Sequence, residues 1–215
     1  MDACPHPAAT SWSVPATIGI VAALLLHGLG SRRLRKACTE QASGRRHAAF
    51  IAGTIALWTV IGSPLAALDH ALLTFHMVQH LVLMTIAAPL LLLGRPGVAL
   101  PFAVPPAVCA ASRRFLRSAA VRRIGLAVTH PVSCWLSGTG VVIAWHVPPL
   151  HELGLSSPWW HAIQHASFLF GGVLFWWPII HAGDAGRRSG GLAGGHAVLY
   201  LFLATMPCDA PPRCT

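Results

Sequence analysis

The chain has 215 residues, of which 54% are hydrophobic and only 10% charged, with a mean hydropathy of +0.61. Soluble domains carry about 25% charged residues, so the composition excludes an ordinary water-soluble domain and predicts an integral membrane protein. A net charge of +9 would suggest nucleic acid in a soluble protein. Here, however, the Lys and Arg residues lie outside the apolar runs, in blocks such as SRRLRK and RRFLRSAAVRR. Such blocks predict basic loops that meet anionic lipid headgroups, with no nucleic acid as partner.

In chain order, residues 1–13 form an N-terminal tail without the basic region or small-residue cleavage site of a signal peptide. A first span is predicted at about 14–30, then a basic loop over 31–47. A second span follows at 48–68. Asp69 and His70 make a short turn into the third, 71–93. The segment 94–123 carries Pro101, Pro105 and Pro106 in an apolar part too short to cross, and proline removes donors that lipid cannot replace. It is expected to lie along the surface as a second basic loop. The fourth span is predicted at 124–147, the fifth at 159–180 with Pro158 opening it, and the sixth at 192–207.

The expected fold class is therefore all-α, a polytopic membrane bundle of six transmembrane helices. These form one domain from 14 to 209, ahead of a short tail, 210–215. With the N-terminus outside, the inner loops hold six, six and two Lys or Arg, against Arg213 alone outside, and this asymmetry sets the orientation. Trp12, Trp145, Trp159 and Trp160 then fall at the outer interface as an aromatic belt.

Two of these spans carry the same pattern. FHMVQH places His76 and His80 four residues apart on the third helix, and WHAIQH places His161 and His165 likewise on the fifth. Residues i and i+4 share a helix face, and both helices run the same way across the membrane. At 1.5 Å per residue, His76 and His165 each lie about 10 Å below the outer end of their helix. Ionisable groups are costly in a membrane, so two matched pairs point to a metal or cofactor site more than to isolated interhelical hydrogen bonds. Another step of four adds Met84, and imidazole with thioether favours copper, Cu(I) especially. His146, at the outer end of the fourth helix, is a further candidate ligand, with His70 and Asp69 able to join from the rim. Gln79 and Gln164 are expected to orient ligands or bridge helices.

Other features read more plainly. His27, His130, His181 and His196 sit towards inner helix ends, as interfacial or hydrogen-bonding residues. Trp176 and Trp177 read as packing residues. Six cysteines at 4, 38, 109, 134, 208 and 214 contain no C-x-x-C pair, and predict neither a disulfide framework nor a zinc module, with Cys134 a small apolar filler. The motifs lack the Glu of a zincin, a G-x-S-x-G elbow and a phosphate-cradling loop. Neither hydrolysis nor ATP use is indicated, and no enzyme is expected.

The run HMVQHLVLMTIAAPLLLLGRP, residues 76–96, resembles the signature of the CtaG-type bacterial cytochrome c oxidase assembly factors. THPVSCWL, WHVPPLHELGL and HAIQHASFLFGGVLFWWPII resemble later segments of that family in the same order. The resemblance implies a multi-pass protein of the bacterial cell membrane whose partners are cytochrome c oxidase subunits. It would help copper reach the oxidase from the outer side. Members continue from a Pro and an Asp, matched by Pro207 and Asp209, into a seventh helix. This sequence stops at MPCDAPPRCT, so that helix is expected to be missing and the tail aberrant. Two alternatives stay open on the residues alone: a haem-binding electron carrier with one axial histidine from each helix, and a metal transporter.

Overall fold

The computed structural model describes residues 13–37, 44–63 and 73–188, with side chains placed as far as His181. Its elements are α1 (Val14–Ala37), α2 (Gly44–Ile61), α3 (Leu73–Val82), a single π-helical turn (Leu83–Ala87), α4 (Ala88–Leu93), α5 (Pro96–Ala103), α6 (Pro106–Leu116), α7 (Ala119–Val128), α8 (Pro131–His146), α9 (Pro148–Ser156) and α10 (Pro158–Arg188). No strand occurs among the described residues.

Proline divides the second half of the chain into helices. Pro96, Pro106, Pro131, Pro148 and Pro158 each open one, because a first-turn N–H has no helical partner and the ring already holds φ at a helical value. A residue before proline is pushed to extended backbone, and Pro105, His130, Val147 and Ser157 comply. Arg95 does not: it precedes Pro96 in the left-handed region, φ 48°, ψ 58°. This is the only positive-φ residue other than glycine among the described residues, at a cost of about 1–2 kcal/mol.

Among the described residues, three helices are long and apolar enough to cross a membrane: Val14–Lys36, Thr74–Leu93 and Pro158–His181. Ala119–Val128 and Pro131–His146 make a fourth if the pair, bent by 66°, is one broken span. This corrects the expectation of six. The predicted second span begins in a helix headed by Gly-Arg-Arg-His, whose charges dilute its apolar run, and residues 64–68 lie outside the described residues. The predicted fourth span breaks at Thr129–His130, where the His130 ring accepts from the Val132 N–H and starts α8 afresh. Across the bend the Cys134 thiol donates to the Val128 carbonyl at 3.3 Å, so this buried cysteine does more than fill space. The sixth span, Trp12 and the tail 210–215 lie outside the described residues.

Other segments differ in form. The basic block 31–37 is the last part of α1, and 94–123 is largely helical. The polar turn 148–156 forms α9. Trp145, expected at the outer interface, is buried, its indole N–H donating to Ser167 Oγ at 2.7 Å between α8 and α10. Trp159 stays exposed. Cys109 is disulfide-bonded, against expectation.

Packing runs inside out relative to a soluble protein. Ile18, Leu25, Phe115, Ile143 and Phe170 are exposed, whereas His27, Thr54, His76, Gln79, His80, Gln164 and His165 are buried. Lipid accepts apolar surface without cost, so what the helices hide is the polar groups that lipid cannot solvate. α10 lies against α8, α9, α4 and the π-turn, while α2 packs on the opposite side of α4 and the π-turn. Val60, Leu83, Trp145 and Phe168 form the apolar centre where these elements meet.

Candidate functional site: a buried histidine cluster

α3 turns His76 and His80 inward together with Gln79, and α10 does the same with His165 and Gln164. The four motif histidines form a ring of contacts. His76 and His80 lie 4.4 Å apart by ring centroid, His161 and His165 4.2 Å, His76 and His161 5.4 Å, and His80 and His165 5.2 Å. The two pairs thus face each other, first histidine to first and second to second, as parallel helices of equal spacing require.

Within the α3 pair the two Nε2 atoms are 2.9 Å apart. One Nε2–H must donate and the other Nε2 accept, so the two rings are in opposite tautomers. The same separation is close to that of two nitrogens on one metal ion, about 3 Å for bonds of 2.0–2.1 Å. Yet among the described residues no three His, Cys, Asp or Glu side chains stand in a metal-ligating arrangement. The rings are gathered, and their lone pairs are not aimed at one point.

The surroundings leave polar atoms unserved. His80 Nδ1, Gln79 Oε1 and Gln164 Oε1 are buried without a hydrogen-bond partner, each costing about 1–3 kcal/mol. Gln79 bridges helices through its amide, which donates to the Val60 carbonyl of α2 at 3.2 Å. Gln164 packs on Gly154 of α9, where an added Cβ would come within 2.8 Å of its Oε1. Phe168 stacks on His80 at 4.1 Å and closes the inner side.

Residues 25–212 match the cytochrome c oxidase caa3 assembly factor family (Caa3_CtaG). The chain belongs to that family. All the histidines of the cluster fall inside the family match, and the resemblance carried by residues 76–96 holds. Uncharacterized proteins of Mycobacterium bovis and Mycobacterium tuberculosis are each 28% identical to the chain over 207 residues, and one of Mycobacterium leprae is 27% identical over 206. Each alignment covers 94% of this chain and 30% of the relative, so the chain spans less than a third of the length of these curated proteins. No solved structure matches.

In this family member the remaining candidates are placed unevenly. Met84 packs against the apolar centre and lies in the π-turn that follows α3. His146 is exposed, its Nδ1–H donating to the Val142 carbonyl at 2.7 Å. Asp69, His70 and Asp209 lie outside the described residues.

Two contributors escape sequence reading. His151 of α9 brings a fifth imidazole edge-on to His76, 6.0 Å away by ring centroid. Nothing in PPLHELGL marks it, because its position depends on α9 folding back onto α10. Trp176 donates its indole N–H to the Met84 carbonyl at 2.9 Å, serving an acceptor in the π-turn. Trp176→Phe is expected to lower the melting temperature in detergent by a few degrees, the loss of about 0.6–1.7 kcal/mol typical of an interhelical bond. Trp159→Phe, at a site 75% exposed, is the control. Equal melting of both variants would show the bond to be idle.

Proposed function

We propose that this chain takes part in assembling cytochrome c oxidase by holding copper as a passing cargo on the histidines of α3 and α10. The observation that carries this reading is the contact of four imidazoles from two helices, His76, His80 and His165 buried and His161 partly so. Imidazole nitrogen suits copper among the first-row ions. His76, His80, His161 and His165 would hold the ion, with His151 beside them. Neutral imidazole binds metal through its bare nitrogen, so whichever of His76 and His80 carries the Nε2 hydrogen would move it to Nδ1 for both Nε2 atoms to face the ion. Met84, in the π-turn that follows α3, is a further candidate, and His146 would have to turn from its own helix. In this reading the N-terminus lies outside and the cluster in the outer half of the bacterial cell membrane, the orientation that the basic blocks favour. No catalytic step is assigned to any residue.

The contacts between the rings favour a small ion over haem, since a porphyrin between α3 and α10 needs those rings parted by its own plane. Detergent-purified protein is expected to carry copper, measured by mass spectrometry of the metal. The double variant His76→Ala, His80→Ala is expected to lose about tenfold or more of it, since even outer-sphere partners of a metal are worth about 10–100-fold in affinity. The same copper content in both proteins, or a reduced haem band in the visible spectrum, overturns the reading.

A further inference from the structure

A second group of polar side chains lies away from the histidine cluster, where the basic ends of three helices meet. His27, Ser31 and Arg35 of α1, Arg46 and His47 of α2, and Arg95 after α4 line a recess open to solvent. We propose that this recess is a binding site for a phosphate group, borne by an anionic lipid headgroup or by free phosphate.

Arg35, Arg46 and Arg95, from three elements, line the recess. Arginine presents a planar fork of donors that matches phosphate oxygens in pairs. The two imidazoles fix the floor. His27 Nε2 lies 3.2 Å from the Gly94 carbonyl, which can only accept, so that nitrogen carries the hydrogen. In the neutral ring Nδ1 then accepts, and His47 Nδ1, 3.2 Å away, donates to it. The rings stack nearly parallel, with Phe50 on the next face of His27. His47 Nε2 is left to meet a ligand, as a donor when that ring is protonated.

The walls are rigid. Gly30 lies directly against the Ala99 carbonyl, and a Cβ on Gly94 would come within 2.6 Å of Phe50. Arg33 ties the end of α1 to α5 by donating to the Phe102 carbonyl at 3.1 Å. Between these contacts the chain keeps an arginine in the strained left-handed turn before Pro96, a place where glycine would cost nothing. Strain retained in this way accompanies function more often than packing, and here it holds the Arg95 side chain at the recess. The spans Val14–Lys36 and Thr74–Leu93 both end at this level, the depth at which lipid phosphates lie.

The test uses the full chain, delipidated in detergent. Native mass spectrometry with phosphatidylglycerol, against phosphatidylcholine, is expected to show a preference of about tenfold for the anionic lipid. Arg46→Gln combined with Arg95→Gly is expected to remove it. Arg95→Gly relieves the left-handed strain, so its melting temperature is expected to stay level or rise, which separates loss of binding from loss of fold. Arg46→Lys keeps the charge without the fork and is expected to bind in between. Sodium phosphate, against sodium chloride of equal ionic strength, distinguishes the sources. Displacement of the lipid and a raised melting temperature assign the recess to free phosphate; retention of the lipid assigns it to a headgroup. The proposal is overturned if neither probe binds better than its control, or if the folded variants bind both as the natural chain does. The variant His76→Ala, His80→Ala is expected to bind phosphate unchanged, so this outcome is independent of copper.

Discussion

Cells that depend on this chain are expected to lose cytochrome c oxidase activity by about tenfold or more when His76 and His80 are both replaced by alanine, in line with the loss of metal ligands. His76 is bonded to His80, and between them the two rings touch both histidines of α10, so the substitution removes one side of the cluster entirely. It also leaves space: a large-to-small change at a buried site costs about 2–5 kcal/mol, partly offset here because His80 Nδ1 no longer lies buried without a partner. Two readouts separate cargo from fold. Immunoblotting of membranes reports whether the variant persists, and added copper in the medium restores activity, by mass action, to a chain that binds weakly but folds. Normal oxidase activity in the double variant would exclude the cluster from assembly altogether.

Gly172→Val is expected to damage the fold where α10 meets the π-turn. A Cβ at Gly172 would lie 2.9 Å from Met84 Cα and 3.1 Å from Ala88 Cβ. The first of these is backbone and cannot swing aside, so α10 would have to move off the π-turn. Overpacking costs about 1–3 kcal/mol, and the same shift breaks the Trp176 bond to Met84 and draws Phe168 and His165 away from His80. Folded yield and melting temperature are expected to fall well below those of Gly140→Ala, whose added methyl meets nothing within 4 Å and gains about 1 kcal/mol of helix propensity. If Gly172→Val melts with the natural chain, the close approach of α10 to the π-turn is wrong.

The meeting of the two histidine pairs was legible because it depends only on period and direction: equal i, i+4 spacing on two parallel helices puts equal depths opposite one another. What broke the reading was local departure from that period. The π-turn after Val82 was not legible, since apolar LMTIA carries no mark of it. Trp145 looked like a belt residue from its place near a span end, and only the nearness of Ser167 on α10 shows why it is buried. The count of spans failed where composition alone was used. A run of apolar residues does not record that Pro131 restarts the helix at an angle, nor that α2 opens on two arginines. His27 and His47 were separated by sequence, and their stacking depends on how α1 and α2 come together.

The bend between α7 and α8 bears on the bilayer itself. α8 has 16 residues, which reach about 24 Å against about 30 Å of hydrocarbon in a typical membrane. α7 turns away by 66° and carries Arg122 and Arg123, so it supplies little of the missing length. Where α7 and α8 serve as one broken span, the mismatch would be met by thinning the lipid beside α8, at fractions of a kcal/mol per ångström. One flank of the bundle would then match a thinner bilayer than the flank of α10, and such a chain is expected to favour thin or easily compressed regions of its membrane.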